Sequence, residues 1–143
     1  MIVVDANLLI YAVDTDAPHH ADARRWLEDV LSATRPVGFA WAVLLAFLRV
    51  TTREGILWRP LAPDEAIEYV DSWLEQPNAA ALTPGPHHWR ILRRLVQASG
   101  TAGNLTSDAH LAAIAIEHGA TLCSSDNDFK RFAGLDHENP LAR

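Results

Sequence analysis

The chain has 143 residues, about half of them apolar, and a formal charge of −6. That is enough for one domain with its own core, spanning 1–143, and too acidic to wrap nucleic acid non-specifically through a basic face. No apolar run approaches the roughly 20 residues of a membrane span, and Asp5 and Asp14 fall where a signal peptide would be basic and then apolar, so the expected location is cytoplasmic with no membrane contact. The lone Cys123 excludes an internal disulfide and reads as a small buried hydrophobe within a strand, with no redox role.

In chain order, Ile2, Val3 and Val4 form a β-branched strand that ends on Asp5 and passes directly into a short helix over Asn7 to Val13. Asp14 to Pro18 is a turn, with Asp14 and Asp16 as turn acids. Ala23, Trp26, Leu27, Val30 and Leu31 then recur at helical spacing within His19 to Ser32. Pro36 to Ala40 predicts a second strand. Trp41 to Thr51 predicts a helix apolar nearly all round except for Arg49, hence buried or at an interface; Arg49 either extends to water or serves phosphate or an acidic site. A Pro-interrupted connection leads to a helix over Asp64 to Glu75, a third strand over Asn78 to Leu82, and a helix over His87 to Ala98 with Trp89, Leu92, Leu95 and Val96 facing inward. Strands alternating with helices point to an α/β fold with a parallel sheet.

The stretch from Asn104 to Phe129 organises the rest. Leu111, Ile114, Ala115 and His118 share a helical face, Thr106 or Ser107 is positioned to cap the first turn, and Gly119 to end the helix, which leaves Asp108 in that first turn. Ala120 to Ser125 predicts a buried strand with Asp126 and Asp128 beyond it. Read as extended chain, residues two apart point the same way, so both carboxylates can converge while Asn127 faces elsewhere. In a parallel sheet the first strand and a late strand lie side by side at the switch point, which brings Asp5 towards Asp126 and Asp128.

Converging aspartates without cysteine make a hard-oxygen site suited to magnesium or manganese rather than zinc. The histidine pairs His19 with His20 and His87 with His88 point apart on a helix and lack metal-ligand spacing. A carboxylate-held Mg²⁺ positions water and stabilises a phosphoryl transition state, so phosphodiester hydrolysis is the natural reaction. Each aspartate by itself is equally accounted for by a cap or turn role. No GxSxG elbow or Gly-rich phosphate loop supports another nucleophile or a nucleotide cradle. Eleven of the twelve basic residues are arginine, which suits phosphate recognition but also follows from a GC-rich genome.

The segments VVDANLLIYA, NLTSDAHLAAIAIEHGA and SSDNDFKRF, together with HHADARRWLE, WAVLLAFLRVTT and FKRFAGLDHENPL, resemble a PIN domain, in particular the VapC-type ribonuclease toxins. The resemblance spans nearly the whole chain. It implies a three-layer α/β/α fold with a central, mainly parallel sheet of four to five strands, and Mg²⁺- or Mn²⁺-dependent endoribonuclease activity as the toxin of a VapBC toxin-antitoxin pair. It also implies homodimerisation and neutralisation by a VapB-type antitoxin. Carried over by motif, Asp5, Asp108, Asp126 and Asp128 are the acidic, metal-binding site, with Ser124 a small hydroxyl near the metal and Asn7 and Asn104 as supporting or phosphate contacts. Aligning on FLRV puts Leu44 where many members have glutamate, leaving either four aspartates that suffice or a contribution from Glu54. Two rival readings remain: another metal-dependent phosphohydrolase, separable by substrate choice, and a module that binds RNA or antitoxin without turnover.

Overall fold

The computed structural model describes residues 1–100, 103 and 105–142. Five strands form one sheet in the order β3-β2-β1-β4-β5, with every pairing parallel. β1 (Ile2–Val4) lies between β2 (Val37–Ala40) and β4 (Thr121–Cys123), while β3 (Ala79–Leu82) and β5 (Asp136–Glu138) form the edges. All residues of β1, β2 and β4 are buried, which requires cover on both faces of the sheet and explains their continuous apolar runs. The cover comes from α1 (Ala6–Val13), α2 (His20–Ser32), α3 (Trp41–Thr52) and α4 (Pro63–Leu74), and from the paired α5 (His88–Ser99) and α6 (Leu105–Glu117). The result is the expected three-layer α/β/α fold.

Local chemistry sets these boundaries. Asp5 itself caps α1, its Oδ1 accepting the Ala6 N–H at 2.7 Å, so the acid at the strand tip also satisfies a free helix donor. Gly119, at φ +62°, takes the left-handed turn that ends α6 and lets the chain enter β4 at once. Under the sheet, Trp73 from α4 meets the Phe47 ring edge-on at 4.8 Å and stacks on Phe39 at 6.1 Å, tying α3, α4 and β2 together.

Several sequence expectations require correction. Trp89, expected inward, is 69% exposed, because its neighbour His88 takes the α6-facing position, buried against His110 at 2.9 Å, and turns Trp89 outward. Of the two alternatives for α3, burial or an interface, full burial does not hold: Trp41 and Leu45 stand about half exposed while Val43, Leu44 and Phe47 face the core, and Arg49 is exposed. Thr106 and Ser107 lie inside α6 rather than capping it, since the helix already begins at Leu105. β4 spans three residues, because its pairing partner β1 ends at Val4. The edge strand β5 carries Asp-His-Glu, a polar stretch with no apolar run to announce it.

Candidate active site

The parallel order puts the tips of β1 and β4 together, and the Asp5 N–H donates to the Cys123 carbonyl at 2.9 Å. Directly beyond β4, Ser124 is fully buried and its hydroxyl joins the two strand tips. It donates to Asp5 Oδ2 at 2.7 Å and accepts from Asn7 Nδ2 at 3.2 Å and from the Asp126 N–H at 3.0 Å. Asn7 Oδ1 also accepts from the Ser125 N–H at 3.4 Å. Asp5, Asn7, Ser124 and Asp126 therefore form one connected unit, joined by side-chain bonds that sequence separation alone would not suggest.

Asp108 enters from the first turn of α6. Its pKa is raised above the ordinary carboxylate value, first by burial and then by repulsion from Asp5 and Asp126, with Arg131 easing it and Asp128 adding to it. Burial likewise raises Asp5, against the bonds from Ser124 and Ala6, and Asp126 adds repulsion. Asp5, Asp108 and Asp126 thus lie near enough for the charge of each to bear on another. Among the described residues no ion pair engages any of the three.

Asp128 is placed differently from the extended-chain expectation. Asn127–Arg131 is a 3-10 turn capped by Asp126, whose Oδ1 accepts the Asp128 N–H at 2.9 Å, so the alternation that would aim both side chains alike does not apply. The Asp128 side chain is 70% exposed and lies 4.0 Å from the Arg131 guanidinium. Leu44 is fully buried in the core. Glu54 lies past the far end of α3, about 18 Å along the axis from the start of a 12-residue helix at 1.5 Å per residue, and that length separates it from the strand tip where α3 begins. Asn104 lies outside the described residues.

Two residues of the C-terminal segment also support the site and had no sequence signal beyond a polar run. The His137 Nε2 lies 3.1 Å from the Ser124 carbonyl, where it donates, and Asn139 Nδ2 donates to the Ser125 carbonyl at 3.3 Å. From β5 and the residue after it they brace the turn that carries Ser124 and Asp126.

The donor set fits a hard divalent cation. It is all oxygen, and the Asp5 and Asp108 carboxyls are held above the ordinary carboxylate range by burial and neighbouring acids, a penalty that a cation relieves. Among the described residues no group of three or more His, Cys, Asp or Glu side chains is placed to hold a metal ion. Magnesium and manganese are commonly held by one or two carboxylates and completed by water and substrate oxygens.

The PIN domain family model matches residues 2–135, and the chain belongs to that family. Within it, the chain is similar to Ribonuclease VapC37 of Mycobacterium tuberculosis, at 47% identity over 142 residues and 99% of each chain. Ribonuclease VapC33 of the same organism is 45% identical over 141 residues, again covering 99% of each. Among solved structures, VapBC2 from Rickettsia felis bound to a promoter DNA fragment matches with a TM-score of 0.72 at 21% identity, over 97% of this chain and 98% of that one. VapBC-1 from nontypeable Haemophilus influenzae matches at 0.71 and 14% identity, over 99% and 100%. At such identities these neighbours establish the shared fold.

Proposed function

We propose that this protein is the endoribonuclease toxin of a VapBC-type toxin-antitoxin pair, cleaving RNA phosphodiester bonds with the help of Mg²⁺ or Mn²⁺. One observation carries the reading: in a PIN-domain chain related to VapC ribonucleases, Asp5 sits at the tip of β1 bonded through Ser124 to the Asp126 backbone, and its charge and that of Asp126 bear on Asp108. Asp5 and Asp126 would hold the cation, Asp108 would act through water from the helix side, and Asp128 would contribute at the rim. A bound divalent cation would supply a more acidic water and neutralise charge on the phosphoryl oxygens. Ser124 fixes the Asp5 carboxylate, Asn7 fixes Ser124, and the buried strand tips keep these groups from relaxing as charge develops.

The test compares RNA, single-stranded DNA and a phosphomonoester in Mg²⁺, in Mn²⁺ and in excess chelator. Selective RNA cleavage that needs metal is expected, with Asp5→Asn or Asp126→Asn lowering it at least about a hundredfold. Cleavage that persists in chelator and in Asp5→Asn overturns the mechanism. Leu44 in the place of an acid favours one second reading, a module that binds without turnover. Binding of RNA or antitoxin with no metal-dependent cleavage is its signature.

The antitoxin is a VapB-type protein, and an arginine or lysine from it is expected to enter the acidic cluster, since grouped carboxylates focus negative potential. Antitoxin affinity that is indifferent to Asp→Asn changes there excludes that mode of inhibition. Self-association through the outer face of α3, where Trp41 and Leu45 stand exposed one turn apart, makes the toxin a homodimer. A monomer in light scattering at tens of micromolar, roughly the range of weak interfaces, excludes it.

A further inference from the structure

A cleft of about 340 Å³ opens between the C-terminal half of α5 and the chain after the 3-10 turn, lined by Leu95, Ala98, Ser99, Arg131, Phe132 and Ala133. Its size is at the lower end for sites that take small molecules. It adjoins the acidic cluster through Arg131, whose Nε donates to the Asp128 carbonyl at 3.2 Å and whose charge bears on Asp108. A second arginine approaches from α5: the Arg94 guanidinium nitrogens stand 3.6 and 3.7 Å from where a side chain on Gly134 would begin. The cleft thus has a floor formed by the largely buried Leu95 and Phe132 and walls that include the exposed Ala98 and Ala133, with the Arg131 guanidinium in its lining and Arg94 beside the neighbouring Gly134.

We propose that this cleft is a nucleotide subsite, which receives the base of a nucleotide next to the scissile phosphate while Arg131 grips that nucleotide's other, non-scissile phosphate. The proposal rests on the RNA-cleaving reading above and assigns it a place for the strand. A chain with net charge −6 repels RNA at long range, and carboxylates repel it most at the point of cleavage, so attraction has to come from cations placed locally. A guanidinium meets a phosphate through two parallel N–H donors. Arg131 is already oriented by Asp128, which reduces the ordering lost on binding. The Ala98 and Ala133 methyl groups offer the base an apolar contact that carries no hydrogen-bond readout and is therefore tolerant of sequence. In this arrangement Asp128 acts through Arg131 as a positioning residue.

Two variants test it. Arg131→Gln removes the charge, and Ala98→Trp fills the cleft from a position that is exposed and therefore not needed for the core. Binding of a short fluorescent oligoribonucleotide is followed by anisotropy in chelator, together with Mn²⁺ affinity and RNA cleavage kinetics. Ala98→Trp is expected to weaken oligonucleotide binding and raise KM about tenfold, with kcat within about threefold and Mn²⁺ affinity unchanged, whereas Arg131→Gln, whose lost charge also bears on Asp108, is read by oligonucleotide binding in chelator alone, with a loss of about tenfold, the scale of one charge-assisted contact. Arg131→Gln should also lower the salt dependence by about one phosphate's worth, a slope change of roughly 0.7 for single strands. Binding and KM equal to wild type in Ala98→Trp, with binding and salt slope equal to wild type in Arg131→Gln, overturn the subsite. A wild type that binds the oligonucleotide, loses it in the variants and never cleaves overturns the ribonuclease reading and leaves the subsite standing.

Discussion

Replacing Ser124 by alanine deletes one oxygen and three hydrogen bonds: those to Asp5 Oδ2, from Asn7 Nδ2 and from the Asp126 N–H. Ser124 is fully buried, so water cannot simply take its place, although Asp5, Asn7 and Asp126 are partly exposed and recover some solvation. A hydrogen bond to a charged acceptor contributes about 1.5–3 kcal/mol, and a buried donor left unpaired costs about 1–3 kcal/mol. With partial recovery, the expected destabilisation is about 2–4 kcal/mol. A domain of this length shifts by about 3 °C per kcal/mol, so Tm should fall by about 6–12 °C. The deficit should also depend on pH. The Ser124 bond is the largest influence that lowers the Asp5 pKa, which burial holds above its ordinary value. Losing it penalises only the ionised form, so the deficit is smaller in acid and grows as pH rises through the Asp5 titration. Thermal unfolding followed by circular dichroism in chelator across that range measures both effects. A Tm within about 2 °C of wild type, the scale of a neutral surface change, together with a pH-independent deficit, would refute the idea that this hydroxyl fixes Asp5.

Other outcomes follow from the same geometry. Asp108 has a folded pKa raised by burial and by Asp5 and Asp126, so the metal-free protein binds more protons than its unfolded chain and loses stability as pH rises from the ordinary carboxylate range through the raised value. Asp108→Asn should flatten that decline, and an unchanged slope of Tm against pH excludes the repulsion. Leu44→Glu should not restore a ligand: Leu44 is 1% exposed, so the carboxylate would be buried without a partner and cost several kcal/mol, whereas Leu44→Met should cost less than about 1.5 kcal/mol; urea midpoints distinguish the two. The Cys123 thiol is pushed up to about 12, chiefly by burial, so it should resist a thiol-reactive disulfide reagent in the native state and react only on unfolding. Prompt labelling of the native protein would exclude its burial.

The sequence by itself determined the order and type of most elements. Apolar runs of three to six residues and apolar faces at helical spacing are local signals, and the Asp5, Asp108 and Asp126 positions followed because each closes or opens such an element. It also determined which strands meet, since a parallel sheet with helical crossovers restricts the order so tightly that β1 and β4 become neighbours. Only the tertiary structure decided what depends on contacts between distant residues. β5 is a strand because β4 offers a free edge to Asp136–Glu138, not because of its own polar residues. Trp89 is exposed and Leu44 buried although both are apolar and helical, because periodicity defines a face and not what that face packs against. The turn after Asp126 closes into a 3-10 helix through its cap, which turns Asp128 towards Arg131. Ser124, whose hydroxyl joins residues more than a hundred positions apart, acquires that role only when the two strand tips are brought together.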